Sequence, residues 1–103
     1  MEIKLLYITV KNNIEAKYIA TESINCGLAI CGNIFDEVES IYKWNNEIKC
    51  NKESVLILKY ASSNSNKLIQ KIKSIHSYDI PCILVLPLEG GNKDFIEWAK
   101  CIV

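Results

Sequence analysis

Residues 28–59, LAICGNIFDEVESIYKWNNEIKCNKESVLILK, read as one long β-hairpin closing on a two-residue turn at Asn45–Asn46. Asn accepts the positive φ that a type I′ turn demands at both central positions. A hairpin of that length exceeds what the core of a small domain can use, so its far end must stand in water or meet a partner. The first arm is read as Leu28 to Trp44, with Gly32 and Asp36–Glu37 marking a bend or bulge midway. Beyond them Val38, Tyr42 and Trp44 alternate with Glu39 and Lys43, and Ile41 falls on the other face. The return arm runs from Glu47 to Tyr60. It is polar as far as Glu53 and continuously apolar over Val55–Leu58, the pattern of a strand central in its sheet.

The remaining segments arrange themselves around that hairpin. Ile3–Val10 is a buried strand by its apolar run. Asn12 with Glu15 three residues on forms a capping-box-like start for a helix, and Gly27 is its stop. Ala16, Ile19, Ala20 and Ile24 make the apolar face. A second helix starts near Asn64 or Ser65 with Leu68, Ile69, Ile72 and Ile75 inward, and ends near His76 ahead of Pro81. Cys82–Leu88 is a further strand, Gly90–Gly91 breaks it, and Asn92 caps a last helix striped by Phe95, Trp98, Ala99 and Ile102. The order is β-α-β-β-α-β with an extra C-terminal helix. This predicts an α+β, ferredoxin-like domain with an antiparallel sheet, one domain over residues 1–103.

Composition narrows the function classes. The 103 residues carry a formal net charge of +0, and all 12 basic residues are Lys. A nucleic-acid binder needs basic excess and favours Arg forks, so no nucleic-acid partner is expected. The five cysteines (Cys26, Cys31, Cys50, Cys82 and Cys101) show no C-x-x-C pair. That odd, irregular set fits a reducing, cytoplasmic setting better than a disulfide framework. No apolar run is long enough to span a membrane, and the first residues lack a secretory pattern. No phosphate loop or dinucleotide fingerprint occurs, so no organic cofactor is expected. Three other functions hosted by ferredoxin-like folds lack their marks: central-strand stacking aromatics for RNA, C-x-x-C after the first strand for a metallochaperone, and a first-loop Arg for an acylphosphatase-like enzyme.

Across nearly the whole chain the sequence resembles the CutA family of divalent-cation tolerance proteins. The matching residues are Leu28-Ala29, Cys31, Asn33-Ile34, Ser40-Ile41-Tyr42, Trp44 and Lys59. His76, Tyr78, Pro81, Leu86-Pro87, Gly91-Asn92 and Trp98 continue the match in order. The resemblance implies a cytoplasmic homotrimer of PII-like architecture whose hairpin packs on neighbouring subunits, with a role in tolerance of copper and other divalent ions. The chain departs from the family pattern at Asp36–Glu37, where Pro–Gly is usual, and at Asn46 and Glu47, where Gly and Lys are usual. Further departures are Ser77, Asp79, Cys82 after Pro81, and Ile8 where some members have Cys.

Three groups of side chains are candidates for chemistry. Cys31, His76 and Cys82 are the donors for a divalent or copper ion, thiolate and imidazole being the soft and borderline ligands such metals prefer. The competing reading makes Cys31 a small buried residue and His76 a helix C-terminal residue whose cationic form suits the dipole. Lys59, Tyr42, Trp44, Tyr78 and Asp79 are candidates to line an intersubunit cleft, where an ammonium among aromatics would take a small anion. The competing reading is interface packing by the aromatics. A Cys–His dyad lacks any third member, so no enzymatic activity is expected. Two functions remain in view: metal-ion tolerance, and a PII-like sensor that binds an anion and signals to an unidentified protein partner.

Overall fold

The computed structural model describes residues 2–102. Its elements are β1 (Ile3–Val10), α1 (Asn13–Asn25), β2 (Cys31–Trp44), β3 (Glu47–Ala61), α2 (Ser65–Ile75), β4 (Ile83–Pro87) and α3 (Lys93–Ile102), with a short 3-10 turn at Ser62–Asn64 before α2. The sheet order is β2-β3-β1-β4, and every neighbouring pair is antiparallel. This is the ferredoxin-like α+β arrangement expected from the sequence. The apolar run Val55–Leu58 does lie in an interior strand, because β3 is held between β2 and β1.

Alternation along the strands assigns the two faces. Leu6, Ile8 and Val10 of β1 and Leu56, Leu58 and Tyr60 of β3 point to one side. There they join Ala16 and Ile19 of α1 and Leu68 and Ile72 of α2 in the main core. The other side is only partly covered: α3 lays Ala99 and Ile96 over Ile3 and Ile30 at one end. Leu84 and Leu86, paired with Tyr7 and Leu5, stay 56% and 41% exposed on that side. The stripe expected on α3 divides accordingly. Ala99 is buried, whereas Phe95, Trp98 and Ile102 remain at the surface. On α1, Ile24 is also at the surface, so the apolar face there is shorter than the spacing predicts.

Helix ends follow the local chemistry. The Asn12 side chain accepts the Glu15 N–H at 2.9 Å. At the other end, Leu28 N–H bonds to Ser23 O at 3.1 Å and Gly27 N–H to Ile24 O at 3.0 Å, the paired bonds of a Schellman motif, with Gly27 at φ +78. Ala29 N–H also turns back to Ser23 O. These bonds hold Leu28 and Ala29 in the helix exit, so β2 starts at Cys31 rather than at Leu28.

The hairpin turn has φ +49 at Asn45 and +62 at Asn46, as type I′ requires. Midway, the ladder shifts register between Phe35 and Val38. Asp36 and Glu37 are the bulge, and Glu37 adopts φ +52. Asp36 Oδ1 fixes it by accepting the Glu37 N–H at 2.9 Å and the Ser54 Oγ–H at 2.8 Å. Gly32 plays a different part from the bend first assigned to it. It stays in the regular ladder opposite Leu58, and a Cβ there would come within 2.8 Å of the Leu58 Cδ2 atom.

Candidate functional site

The type I′ turn places Trp44 opposite Glu47 and Tyr42 opposite Lys49, and the same register carries Val38 to Glu53. Directly paired residues share a face, so Tyr42, Trp44, Asn51 and Glu53 all project on the side away from α1 and α2. The segment after α2 comes to meet them. Tyr78, Ile80 and Cys82 close a concavity of about 450 Å³ with Tyr42, Trp44, Asn51, Glu53 and Thr9. Tyr78 Oη–H donates to Glu53 Oε2 at 2.7 Å and ties the segment to the arm. Burial and that hydrogen bond push the Tyr78 hydroxyl far above its ordinary pKa, so it remains a donor throughout the physiological range.

His76 and Glu15 position Tyr78. The imidazole Nε2–H donates to Thr9 O at 2.9 Å, while Nδ1 accepts the Tyr78 backbone N–H at 3.0 Å. The Tyr78 ring leans on the imidazole at 4.9 Å between centroids. Glu15 accepts the Lys11 N–H through Oε1 at 3.0 Å and the Ser77 N–H through Oε2 at 2.8 Å. Burial alone would raise the Glu15 pKa, but the hydrogen bonds from Lys11 and Ser77 outweigh it and hold the carboxyl below its ordinary value.

The expected metal donors do not gather. Both nitrogens of His76 are committed to the backbone, which leaves no lone pair for a metal in this arrangement. Cys31 sits opposite Lys59, at the level of Leu5, whereas Cys82 meets β1 at Thr9. Four residues along a strand separate those levels by roughly 13 Å. Among the described residues no group of three or more His, Cys, Asp or Glu could hold a metal ion, and all five cysteines are unbridged.

The expected cleft is also divided. The structure brings Tyr42, Trp44 and Tyr78 together with Cys82, but places Lys59 and Asp79 elsewhere. Lys59 lies toward the opposite end of the sheet, where Nζ donates to Asn33 Oδ1. It lines a separate, apolar cavity of about 280 Å³ with Leu5, Leu88 and Phe95. Asp79 faces a surface hollow beside Ile69 and Lys73. The charge among the aromatics is therefore the Glu53 carboxylate, which sequence reasoning had passed over as part of a polar arm. The turn register could have found it, because a two-residue turn at 45–46 fixes which β3 residues share a face with Tyr42 and Trp44.

A four-stranded antiparallel plait with a long, bulged hairpin and an aromatic concavity beneath its tip defines an α+β protein of ferredoxin-like architecture. The comparisons with known proteins place it more narrowly. The family model for the CutA1 divalent ion tolerance protein matches residues 4–101, and the chain belongs to that family. It is 36% identical over 96 residues to protein CutA 1, chloroplastic, of Oryza sativa, covering 93% of this chain and 54% of that one. It is 36% identical over 93 residues to the divalent-cation tolerance protein CutA of Archaeoglobus fulgidus, covering 90% of each. The crystal structure of CutA1 from Oryza sativa superposes with a TM-score of 0.95 at 34% identity, covering 100% of this chain and 94% of that chain. The chain thus spans about half the length of the rice relative and nearly all of the archaeal one.

Proposed function

We propose that this chain acts in divalent-cation tolerance as a cytoplasmic homotrimer, without enzymatic activity, with its long hairpin as the arm that binds neighbouring subunits. The observation that carries this reading is the apolar surface left bare in one subunit. Ile41 and Ile48 at the hairpin tip are 68% and 71% exposed on the face opposite the aromatic concavity, and Leu84, Leu86 and Trp98 are uncovered on the outer side of the sheet. Exposed apolar side chains on both faces, at the tip and on the outer side of the sheet, mark interaction surfaces. Sedimentation equilibrium tests it: a trimer is expected, and Ile41→Lys combined with Ile48→Lys should shift it toward monomer. A wild-type monomer at high concentration would overturn the assembly role.

The family name ties the chain to divalent ions, and copper is the ion the resemblance points to. One subunit does not assemble the donors for it, so a metal site of this chain would draw Cys31, Cys82 or a released His76 from more than one subunit. Calorimetric titration with Cu²⁺ and Zn²⁺ checks this. Stoichiometry should follow the assembly and fall in Cys31→Ser or Cys82→Ser. Binding that is unchanged in both variants and in the dissociated Ile41→Lys/Ile48→Lys chain would refute it.

The sensor reading retains one supporting observation, which is Lys59 at the rim of its own apolar cavity. A small anion with an apolar body suits that cavity, and a thermal-shift screen of carboxylates against wild type and Lys59→Gln tests it.

A further inference from the structure

We propose that the concavity under the hairpin tip binds an organic ammonium cation, held by the aromatic faces of Tyr42, Trp44 and Tyr78 and by the carboxylate of Glu53. The lining carries one ionised group, Glu53, and no lysine. Lys49, which shares the row of Tyr42, is turned to Glu47 at 3.1 Å. Tyr78 occupies Glu53 Oε2, and among the described residues Oε1 accepts no hydrogen bond, so one carboxylate oxygen stays available to a cation. Aromatic faces attract a cation through the ring quadrupole, and they favour a large, weakly hydrated ammonium over a small hydrated metal ion. Ile80 adds an apolar wall suited to the methyl or methylene groups of such a ligand. A volume near 450 Å³ accommodates an ion of choline size.

All of the lining comes from one chain, so the inference does not rest on the assembly proposed above. The tip has two faces, and the arm can meet a neighbour through Ile41 and Ile48 while Tyr42 and Trp44 face the concavity.

The test uses choline and tetramethylammonium as probes, with 3,3-dimethylbutan-1-ol as the neutral isostere of choline, by isothermal titration calorimetry. Both ammonium ions are expected to bind, with the isostere weaker by about tenfold or more. Glu53→Gln keeps an acceptor for Tyr78 and removes the charge; Trp44→Leu keeps apolar bulk and removes the ring. Each should weaken choline binding by about tenfold. Circular dichroism and light scattering on the same samples separate loss of the site from loss of fold or assembly. If Glu53→Gln does not fold, the isostere and Trp44→Leu still decide. The proposal is overturned if neither ammonium ion binds, if the isostere binds as well as choline, or if a folded Glu53→Gln binds choline as wild type does. It is also overturned if Zn²⁺ occupies the concavity and the ammonium ions do not. Choline binding only to the dissociated Ile41→Lys/Ile48→Lys chain would assign the concavity to a neighbouring subunit instead.

Discussion

Replacing Glu15 by Gln tests whether one carboxylate locks the segment that carries Tyr78. Glu15 uses its two oxygens on two backbone N–H groups, Lys11 at 3.0 Å and Ser77 at 2.8 Å. Gln offers one carbonyl oxygen and one NH₂, so one backbone donor then faces another donor. A hydrogen bond to a charged acceptor is worth roughly 1.5–3 kcal/mol, and Glu15 is only 8% exposed, so a loss of about 2 kcal/mol is expected. For a domain of this size that lowers the melting temperature by roughly 10 °C. The pH dependence gives the sharper signature. The folded-state pKa lies below the ordinary value of 4.5, so the folded protein holds its proton less tightly than the unfolded chain. The stabilisation is therefore fully present above that ordinary value and disappears as pH falls through the lower, folded-state pKa. Urea unfolding followed by circular dichroism, at fixed protein concentration, should show the gap between wild type and Glu15→Gln closing below pH 4.5. A gap that is the same at pH 7 and in acid would mean that the carboxylate charge is not what holds the segment.

Three further substitutions probe the backbone. Glu37→Gly should stabilise the protein by about 0.5–1 kcal/mol in urea unfolding, because φ +52 strains any L side chain and the Glu37 side chain is at the surface. Gly32→Ala should destabilise by roughly 1–3 kcal/mol, since its Cβ would meet Leu58 Cδ2 at 2.8 Å and the Ile57 carbonyl oxygen at 3.2 Å. Gly27→Ala should cost about 1 kcal/mol by forcing a Cβ into the left-handed stop of α1, and a neutral result by thermal denaturation would refute that role.

The elements were legible where local chemistry and tertiary packing agree. The Asn45–Asn46 turn, the Asn12 cap, the Gly27 stop and the bulge at Asp36–Glu37 each stand where their residue types demand. What the sequence hid is what depends on long-range register. His76 looked like a free donor, yet Thr9, 67 residues away, takes its Nε2–H. Glu15 looked like a cap residue, and its second oxygen serves Ser77, 62 residues on. Lys59 and the hairpin aromatics share a sheet face, but the arm is long enough to keep them apart. A pattern of residue types shows which face a side chain takes, and it does not show how far along that face the side chain sits.

The bulge has one more consequence. Before it, odd-numbered residues of β2 share the outer side of the sheet with Lys59, Ile57 and Val55; after it, even-numbered residues do. A single added residue therefore changes the phase of β2 while every β3 residue keeps its own. Removing Glu37 would merge the two halves into one straight ladder and preserve each cross-strand partner. The tip would keep its pairs and lose its heading. The cross-strand partners and the heading of the tip are therefore set by different residues of this arm, the ladder residues fixing the first and the extra residue of the bulge the second.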